Sequence, residues 1–257
     1  MSTLPHGNFS PIPLAPPPSD SLARAGASAT AQYRAELARD RPRRLAVRAA
    51  LAAAPGALVG WALDWRVGVG LALLVAAGLA LRYHRWSEAA SWRKGARGER
   101  ATARLLAELV DGGHVVLHDR AIGGSHANLD HLVIGPSGVW VVDSKAWHRR
   151  TRVHGLNRTL YIGRRPASRL LRGLAFERKA VERALARTVP ADAVRAVVAV
   201  HGPRLPGLAR PLLVENVMLL RARHVPRAVR SAPPTLTPGE VVAAAHTLAA
   251  VFPPYLP

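Results

Sequence analysis

The sequence predicts a mixed α/β domain, built as a helix, a three-stranded antiparallel meander, a second helix and further strands, and preceded by a transmembrane helical hairpin. Two observations carry this. Between residues 45 and 81 two apolar runs are separated by the polar turn Asp64-Trp65-Arg66. From residue 93 onward the apolar residues recur first with the helical period and then with the alternation of strands, with turn signals between the segments. The boundaries follow: 1–42 as a disordered arm rich in Pro, Ala and Arg, 43–86 as the hairpin, 87–200 as the α/β domain, and 201–257 as a C-terminal extension packed on it.

The first twenty residues, MSTLPHGNFSPIPLAPPPSD, hold many prolines and few large apolar side chains, a composition that cannot bury enough surface to order itself. No early basic segment leads into an apolar run, so no cleavable signal peptide is expected. A short basic helix fits residues 21–41, ending before Pro42.

The runs LAVRAALAAAPGALVGWAL (45–63) and VGVGLALLVAAGLAL (67–81) each approach the roughly 20 residues that span a bilayer core of about 30 Å. Gly and Pro within them are tolerated in membrane helices. Arg39, Arg41, Arg43 and Arg44 precede the first run, and Arg82, Arg85, Arg93 and Lys94 follow the second. Positive charge at both outer ends places both ends, and the domain after them, in the cytoplasm at the cell membrane. Trp61, Trp65, Tyr83 and Trp86 fall where amphipathic rings favour the interface, so membrane contact is expected over residues 45–83. A buried, Ala-rich pair of soluble helices is the competing reading, and Arg48 inside the first run speaks for it.

The chain has no cysteine, which excludes disulfides, thiolate metal sites and cysteine nucleophiles, and fits a reducing compartment. Its formal charge is +20, carried by 33 Arg and only 3 Lys. Such a field attracts polyanions and anionic lipid, although an arginine bias of this kind also arises from genome composition. Scarce lysine makes Lys94, Lys145 and Lys179 conspicuous.

Within the α/β domain, residues 93–110 read as a helix. HVVLHDRAI (114–122), ANLDHLVIG (127–135) and GVWVVDSKAW (138–147) read as consecutive strands, 168–188 as a basic amphipathic helix, and 194–202 and 214–222 as two more strands. A closing helix starts at the cap Thr237, with Pro238 in its first position and Glu240 three residues on.

The second and third strands each carry an aspartate where a core residue is expected. In a hairpin turning on Pro136 and Ser137, opposed residues share the constant sum 273, and Asp130 and Asp143 share it too. The register therefore predicts that they face each other, with Cβ atoms roughly 4.5–5.5 Å apart. Directly opposed like charges destabilise a sheet unless neutralised, and a divalent cation that prefers oxygen ligands, Mg²⁺ or Mn²⁺, does this. Lys145 lies on the same strand face as Asp143, with Asn128 expected opposite it. Glu99 shares the helical stripe Glu99, Thr102, Ala103, Leu106, Val110, and Gly95 and Gly98 allow close approach of that helix. The plainer alternative is a pair of edge-strand aspartates with Lys145 neutralising one of them.

Three motifs in order, Gly95-x-x-Gly98-Glu99, Asn128-Leu129-Asp130-His131 and Gly138-Val139-Trp140-Val141-Val142-Asp143-Ser144-Lys145, resemble the nuclease-related domain, NERD, a branch of the PD-(D/E)xK, restriction-endonuclease-like superfamily. The similarity runs from about residue 93 to the 190s. The tail, with Val200-His201-Gly202 and Leu236-Thr237-Pro238-Gly239-Glu240, is similar to members with an extended C-terminus. The resemblance implies a restriction-endonuclease-like core. It implies Glu99, Asp130, Asp143 and Lys145 as catalytic residues of a phosphodiester hydrolase, with Asp130, Asp143 and Glu99 holding Mg²⁺ or Mn²⁺. Asp143 stands where Glu is commoner, and the helix after the hairpin lacks the glutamine often seen in related nucleases. A non-catalytic nucleic-acid-binding or scaffold module keeping that fold is the alternative.

Residues 145–187 hold 13 Lys or Arg against Glu177 and Glu182. Arg149, Arg150, Arg152, Arg164 and Arg165 are candidate contacts to the phosphates of DNA or RNA, or else express the general arginine bias on a solvated face. Trp147 reads as a core cap more than a base-stacking platform, and His131, on the face opposite Asp130, as a structural histidine. No zinc-helix pairing of histidines, GxxxxGK[ST] loop or GxSxG elbow occurs.

Overall fold

The computed structural model describes residues 15–38, 41–86, 88–156, 159–203, 205, 212–214 and 217–255. The first fourteen residues of the expected disordered arm, Arg39 and most of the segment 204–216 lie outside the described residues, as do the side chains of Arg41, Arg43, Arg44, Tyr83, Arg85 and Trp86.

In chain order the elements are α1 (Ala27–Ala38), α2 (Arg41–Ala62), α3 (Trp65–Trp86), α4 (Glu88–Leu106), β1 (Val115–Ala121), β2 (Asn128–Gly135), β3 (Gly138–Ala146), β4 (Val153–Leu156), β5 (Thr159–Ile162), β6 (Arg165–Pro166), α5 (Ser168–Leu185), β7 (Val194–His201), β8 (Leu212–Val214), β9 (Val217–Arg221), α6 (Val225–Ser231) and α7 (Pro238–Val251). Among the described residues six strands form one mixed sheet in the order β1-β2-β3-β7-β9-β8. β1, β2 and β3 make the antiparallel meander, and β7 adds parallel to β3 after the crossover through α5.

Alternation along the strands decides what each face covers. Leu117, Leu132, Val139, Val141 and Val198 point to one side, beneath α5 and α7. Val116, Val133, Trp140, Val142 and Val197 point to the other, against Leu106 at the end of α4 and Val225 and Val229 of α6. Each such side chain removed from water contributes roughly 1.5–3 kcal/mol, so both faces are fixed against a slip in register. α7 begins as its sequence signals indicate: Thr237 accepts from the Glu240 amide and the Glu240 side chain returns to the Thr237 amide.

Four features differ from the sequence expectation. The short strands β4, β5 and β6 form a small separate sheet in a stretch whose arginines conceal its sparse apolar alternation. β8 and α6 extend the fold beyond the elements expected there. The α4 stripe ends one residue early: the chain tightens into a 3-10 turn over Ala107–Leu109, which buries Leu109 and leaves Val110 40% exposed. The arm, expected to be disordered as far as residue 42 apart from a short helix over 21–41, is ordered from residue 15 where described, with α1 inside the expected helix. Long-range polar pairing is the reason. The Asp20 amide donates to Val116 O at 2.8 Å, Ser19 Oγ accepts from the Val116 amide at 3.0 Å, and the Asp20 carboxylate receives Arg120 from both Nε (3.0 Å) and Nη2 (2.8 Å). These bonds satisfy the free edge of β1, which would otherwise template strand addition.

α2 and α3 pack on each other as a hairpin, and both are long and apolar enough to cross a membrane, over Leu45–Ala62 and Trp65–Arg82. Only 11% and 6% of those spans are buried within the protein, which is not the environment of a soluble core pair. Leu58, Trp61, Leu63 and Leu74 face outward, Trp61 at 88% exposure. The contact between the helices is made by small residues. A Cβ on Gly68 would stand 2.4 Å from the Gly56 carbonyl oxygen and 2.6 Å from Gly60 Cα, so glycine is what permits this approach.

Candidate active site

The predicted register holds from Gly135↔Gly138 to His131↔Val142, every pair sharing the sum 273. There the ladder between β2 and β3 stops. β2 goes on beside β1, pairing Leu129 with Arg120 and Asn128 with Ala121, while β3 goes on beside β7, pairing Asp143 with Val198 and Lys145 with Val200. The strands fork, and Asp130 and Asp143 are the first residues past the fork. The Ser144 amide, freed from the ladder, donates instead to Asp130 Oδ2 at 2.8 Å. Asn128 is therefore not opposite Lys145. It donates to Asp119 Oδ1 at 2.8 Å and to Ser28 Oγ at 3.0 Å.

α4 delivers Glu99 to the same site. Its inner stripe is Ala96, Glu99, Thr102, Ala103 and Leu106, all 7% exposed or less. Gly98 brings the helix onto the end of β3, where an added Cβ would meet the Ala146 Cβ at 2.9 Å.

The charges are crowded. Burial, then the carboxylates of Asp130 and Asp119, push Glu99 up to about 9. Burial pushes Asp130 up to about 7; Lys145 opposes this and Asp143 adds to it, while the Ser144 amide pulls it back down. Lys145 Nζ bonds Asp143 Oδ1. Burial pulls the ammonium down, but Asp143 and Asp130 together outweigh that and hold it above the ordinary lysine value. Lys145 is thus a permanent cation at the mouth of the site, its side chain 35% exposed.

Sequence reasoning missed two members of this cluster. Glu177 of α5 shares the buried stripe Leu174, Val181, Leu185 that faces the sheet. Burial first, then Asp143 and Asp130, push it up to about 9. Its spacing from Leu174 and Val181 was a usable signal. Asp119 lies in β1 at a left-handed φ of 49°, a conformation that aspartate tolerates better than most residues. Its Oδ2 accepts from the Ser28 amide at 2.6 Å, a partner ninety-one residues distant that no local pattern reveals.

Two carboxylate oxygens, Glu99 Oε2 and Asp143 Oδ2, are buried without a hydrogen-bond partner among the described residues. A buried carboxylate oxygen left unpaired is costly, and a hard cation is the kind of partner it lacks. Among the described residues no three His, Asp or Glu side chains stand close enough together to cage an ion. Mg²⁺ does not require a cage: it keeps several waters and takes one or two carboxylates plus substrate phosphates. The donor set fits Mg²⁺ or Mn²⁺ in that open manner.

Arg149, Arg150, Arg152, Arg164 and Arg165 are all exposed on the wing formed by β4–β6 and its approach, immediately after Lys145. Trp147 packs partly buried against the core, its amide bonded to His201 O at 3.1 Å. His131 is wholly buried and lies on the face opposite Asp130, between His118 (2.9 Å) and Ser144 Oγ (3.1 Å).

Residues 94–201 match the family model of the nuclease-related domain, NERD. The matched segment runs from α4 to the end of β7 and contains Glu99, Asp130, Asp143, Lys145 and Glu177. Comparison with curated proteins and with solved structures returns no match.

Proposed function

We propose that this chain, whose residues 94–201 belong to the nuclease-related domain family, is a membrane-tethered, metal-dependent nuclease that hydrolyses phosphodiester bonds of DNA or RNA. The observation that carries this reading is the fork between β2 and β3. There a buried, unpartnered Asp143 oxygen stands beside Lys145, Asp130 and Glu99. The helix, antiparallel meander, helix and parallel strand from α4 to β7 follow the order that a PD-(D/E)xK core implies.

Two of the carboxylates Asp130, Asp143 and Glu99, completed by water and substrate phosphate, would hold Mg²⁺ or Mn²⁺, which when bound polarises a phosphate and lowers the pKa of its water. Asp130 takes its orientation from the Ser144 amide. Lys145, held cationic by Asp143 and Asp130, orients the attacking water and offsets charge developing on the phosphate; with its pKa raised it is a poor base. Glu177 overlooks Lys145 from α5 and holds a proton at neutral pH. The exposed arginines of the β4–β6 wing follow the phosphate backbone. The α2–α3 hairpin inserts in the cell membrane over residues 45–83 and keeps the domain on the cytoplasmic side.

The test is cleavage of labelled DNA and RNA by the full chain in nanodiscs, with Mg²⁺, Mn²⁺ or EDTA, beside Asp143→Ala and Lys145→Ala. Metal-dependent cleavage abolished by both changes is expected. Salt-sensitive binding without any cleavage would instead assign the chain to a non-catalytic nucleic-acid-binding or scaffold module.

A further inference from the structure

Behind Asp130 and Asp143, on the face of the sheet that α4 covers, five side chains form a continuous hydrogen-bonded row. The Nδ1 atoms of His118 and His131 face each other at 2.9 Å, and His131 Nε2 lies 3.1 Å from Ser144 Oγ. Ser144 Oγ donates to Thr102 Oγ1 at 2.8 Å, and Thr102 Oγ1 meets His201 Nε2 at 2.8 Å. His131 and Thr102 are wholly buried, His118 and Ser144 nearly so.

Each junction holds one hydrogen. A hydrogen bond between two ring nitrogens 2.9 Å apart needs one of them bare, and a neutral imidazole has one N–H and one bare nitrogen. Because the Ser144 hydroxyl points at Thr102, its oxygen accepts from His131 Nε2–H. His131 Nδ1 is then the bare nitrogen, and His118 donates to it. Thr102 in turn donates to His201. Direction at one junction sets the direction at all four, so the row acts as one unit.

Three of its five members adjoin the acidic site. Thr102 follows Glu99 by one turn on α4. His131 follows Asp130, and Ser144 lies between Asp143 and Lys145 with its amide on Asp130. Side chains alternate across a strand, so the row is screened from the face where a substrate would lie. We propose that Thr102 and Ser144 are positioning residues, which through this row fix Glu99 on α4 relative to Asp130 and Asp143 on the strands. The proposal rests on the nuclease reading above.

The experiment uses the full chain in nanodiscs with Mn²⁺ as the probe. Thr102→Val removes the hydroxyl at similar volume, and Thr102→Ser keeps it. Affinity is read from the electron paramagnetic resonance of free Mn²⁺, folding from thermal unfolding in EDTA, and turnover as separate kcat and KM. Thr102→Val is expected to weaken Mn²⁺ binding by about 10- to 100-fold, the usual cost of losing a group that orients metal ligands. It should lower kcat more than it raises KM, with Thr102→Ser restoring both. A Thr102→Val protein that loses only thermal stability, keeping its Mn²⁺ affinity and kcat, overturns the proposal. If Thr102→Val does not fold, Ser144→Ala against Ser144→Thr is judged by the same measurements. An unaltered protein that binds no Mn²⁺ is a different failure, because it removes the nuclease reading and the positioning role with it.

Discussion

The amide of Ser144 is hydrogen-bonded to the carboxylate of Asp130 at 2.8 Å, where an antiparallel ladder would have offered it a backbone carbonyl. The strand pairing thus ends on a side chain, and the site opens where it ends. Asp130 has a structural duty to Ser144 and a chemical one toward a cation, and substitution can separate them. Asp130→Asn keeps an acceptor for the amide and removes a charge that Asp143 and Asp119 oppose. Thermal unfolding in EDTA should show it as stable as the unaltered protein or a few degrees more so. Metal-dependent cleavage should fall by a factor on the order of 10² or more.

Crowded carboxylates make stability depend on pH in an unusual direction. Glu99 and Glu177 are both raised to about 9 in the folded protein, against ordinary values near 4.5. A raised folded value means stability is fully present below the ordinary value and is lost as pH rises through the folded one. Metal-free protein should therefore melt progressively lower between pH 6 and 9, by a few degrees. Glu99→Gln, which cannot ionise, should flatten that slope. Mg²⁺ should act oppositely: ligation needs the ionised carboxylates, so its stabilising effect should grow with pH. Melting curves with Mg²⁺ or EDTA across that range decide both points, and a slope unchanged by Glu99→Gln would refute the first.

These charges also mark how far the sequence was readable. Asp130, Asp143 and Lys145 were legible because a two-residue turn fixes register, and the count of 273 holds up to the residue beside Asp130. The fork was not, because beyond it β2 is paired only with β1 and β3 only with β7, the latter a pairing across fifty-five residues that leaves no local period. Glu99 was legible from its stripe. Glu177 was equally regular but lay hidden among arginines, and the same arginines masked β4–β6. Asp119 and the ordered residues 15–38 depend on contacts of seventy residues or more in separation, which periodicity does not encode.

The pairing of Asp20 with Arg120 ties the start of the chain to β1. Both side chains are under 10% exposed, and the guanidinium meets the carboxylate through Nε and Nη2. Removing one partner of a buried pair leaves the other charge uncompensated, at about 3–5 kcal/mol. Arg120→Ala or Asp20→Ala should lower the denaturant midpoint accordingly. Limited proteolysis should then cut within residues 15–28 in either variant and spare the unaltered protein.

On the wing, Arg149, Arg150, Arg164 and Arg165 carry charge without burial. Their contribution to nucleic-acid binding should be electrostatic, so it is best read as salt dependence. Each lost phosphate contact reduces the slope of log affinity against log salt by about 0.7–0.9. Replacing Arg164 and Arg165 with Gln should lower that slope by roughly one to two units, with similar loss across sequences. Anisotropy titrations of labelled single- and double-stranded oligonucleotides from low to moderate salt would measure it. An unchanged slope would place the nucleic acid elsewhere.

The hairpin's orientation can be tested without background, because the chain has no cysteine of its own. Asp64 lies between α2 and α3, at the far end of both apolar spans from the α/β domain. Arg150 is exposed on the domain after β3. If the spans insert with both outer ends in the cytoplasm, Asp64→Cys should react with a membrane-impermeant maleimide added outside intact cells, and Arg150→Cys should react only after the membrane is opened. Asp64 bonds the Arg66 amide at 2.7 Å to start α3, so the change should fray that turn without separating the helices, which are held along their length by Gly56, Gly60, Gly68 and Ala72. Labelling of both positions from the outside would rule out a hairpin that spans the membrane, and protection of both would favour helices lying on its inner face or against a partner. Protection of Asp64→Cys alone, with Arg150→Cys labelled, would put the domain outside the cell and remove the cytoplasmic assignment on which the substrate reading depends.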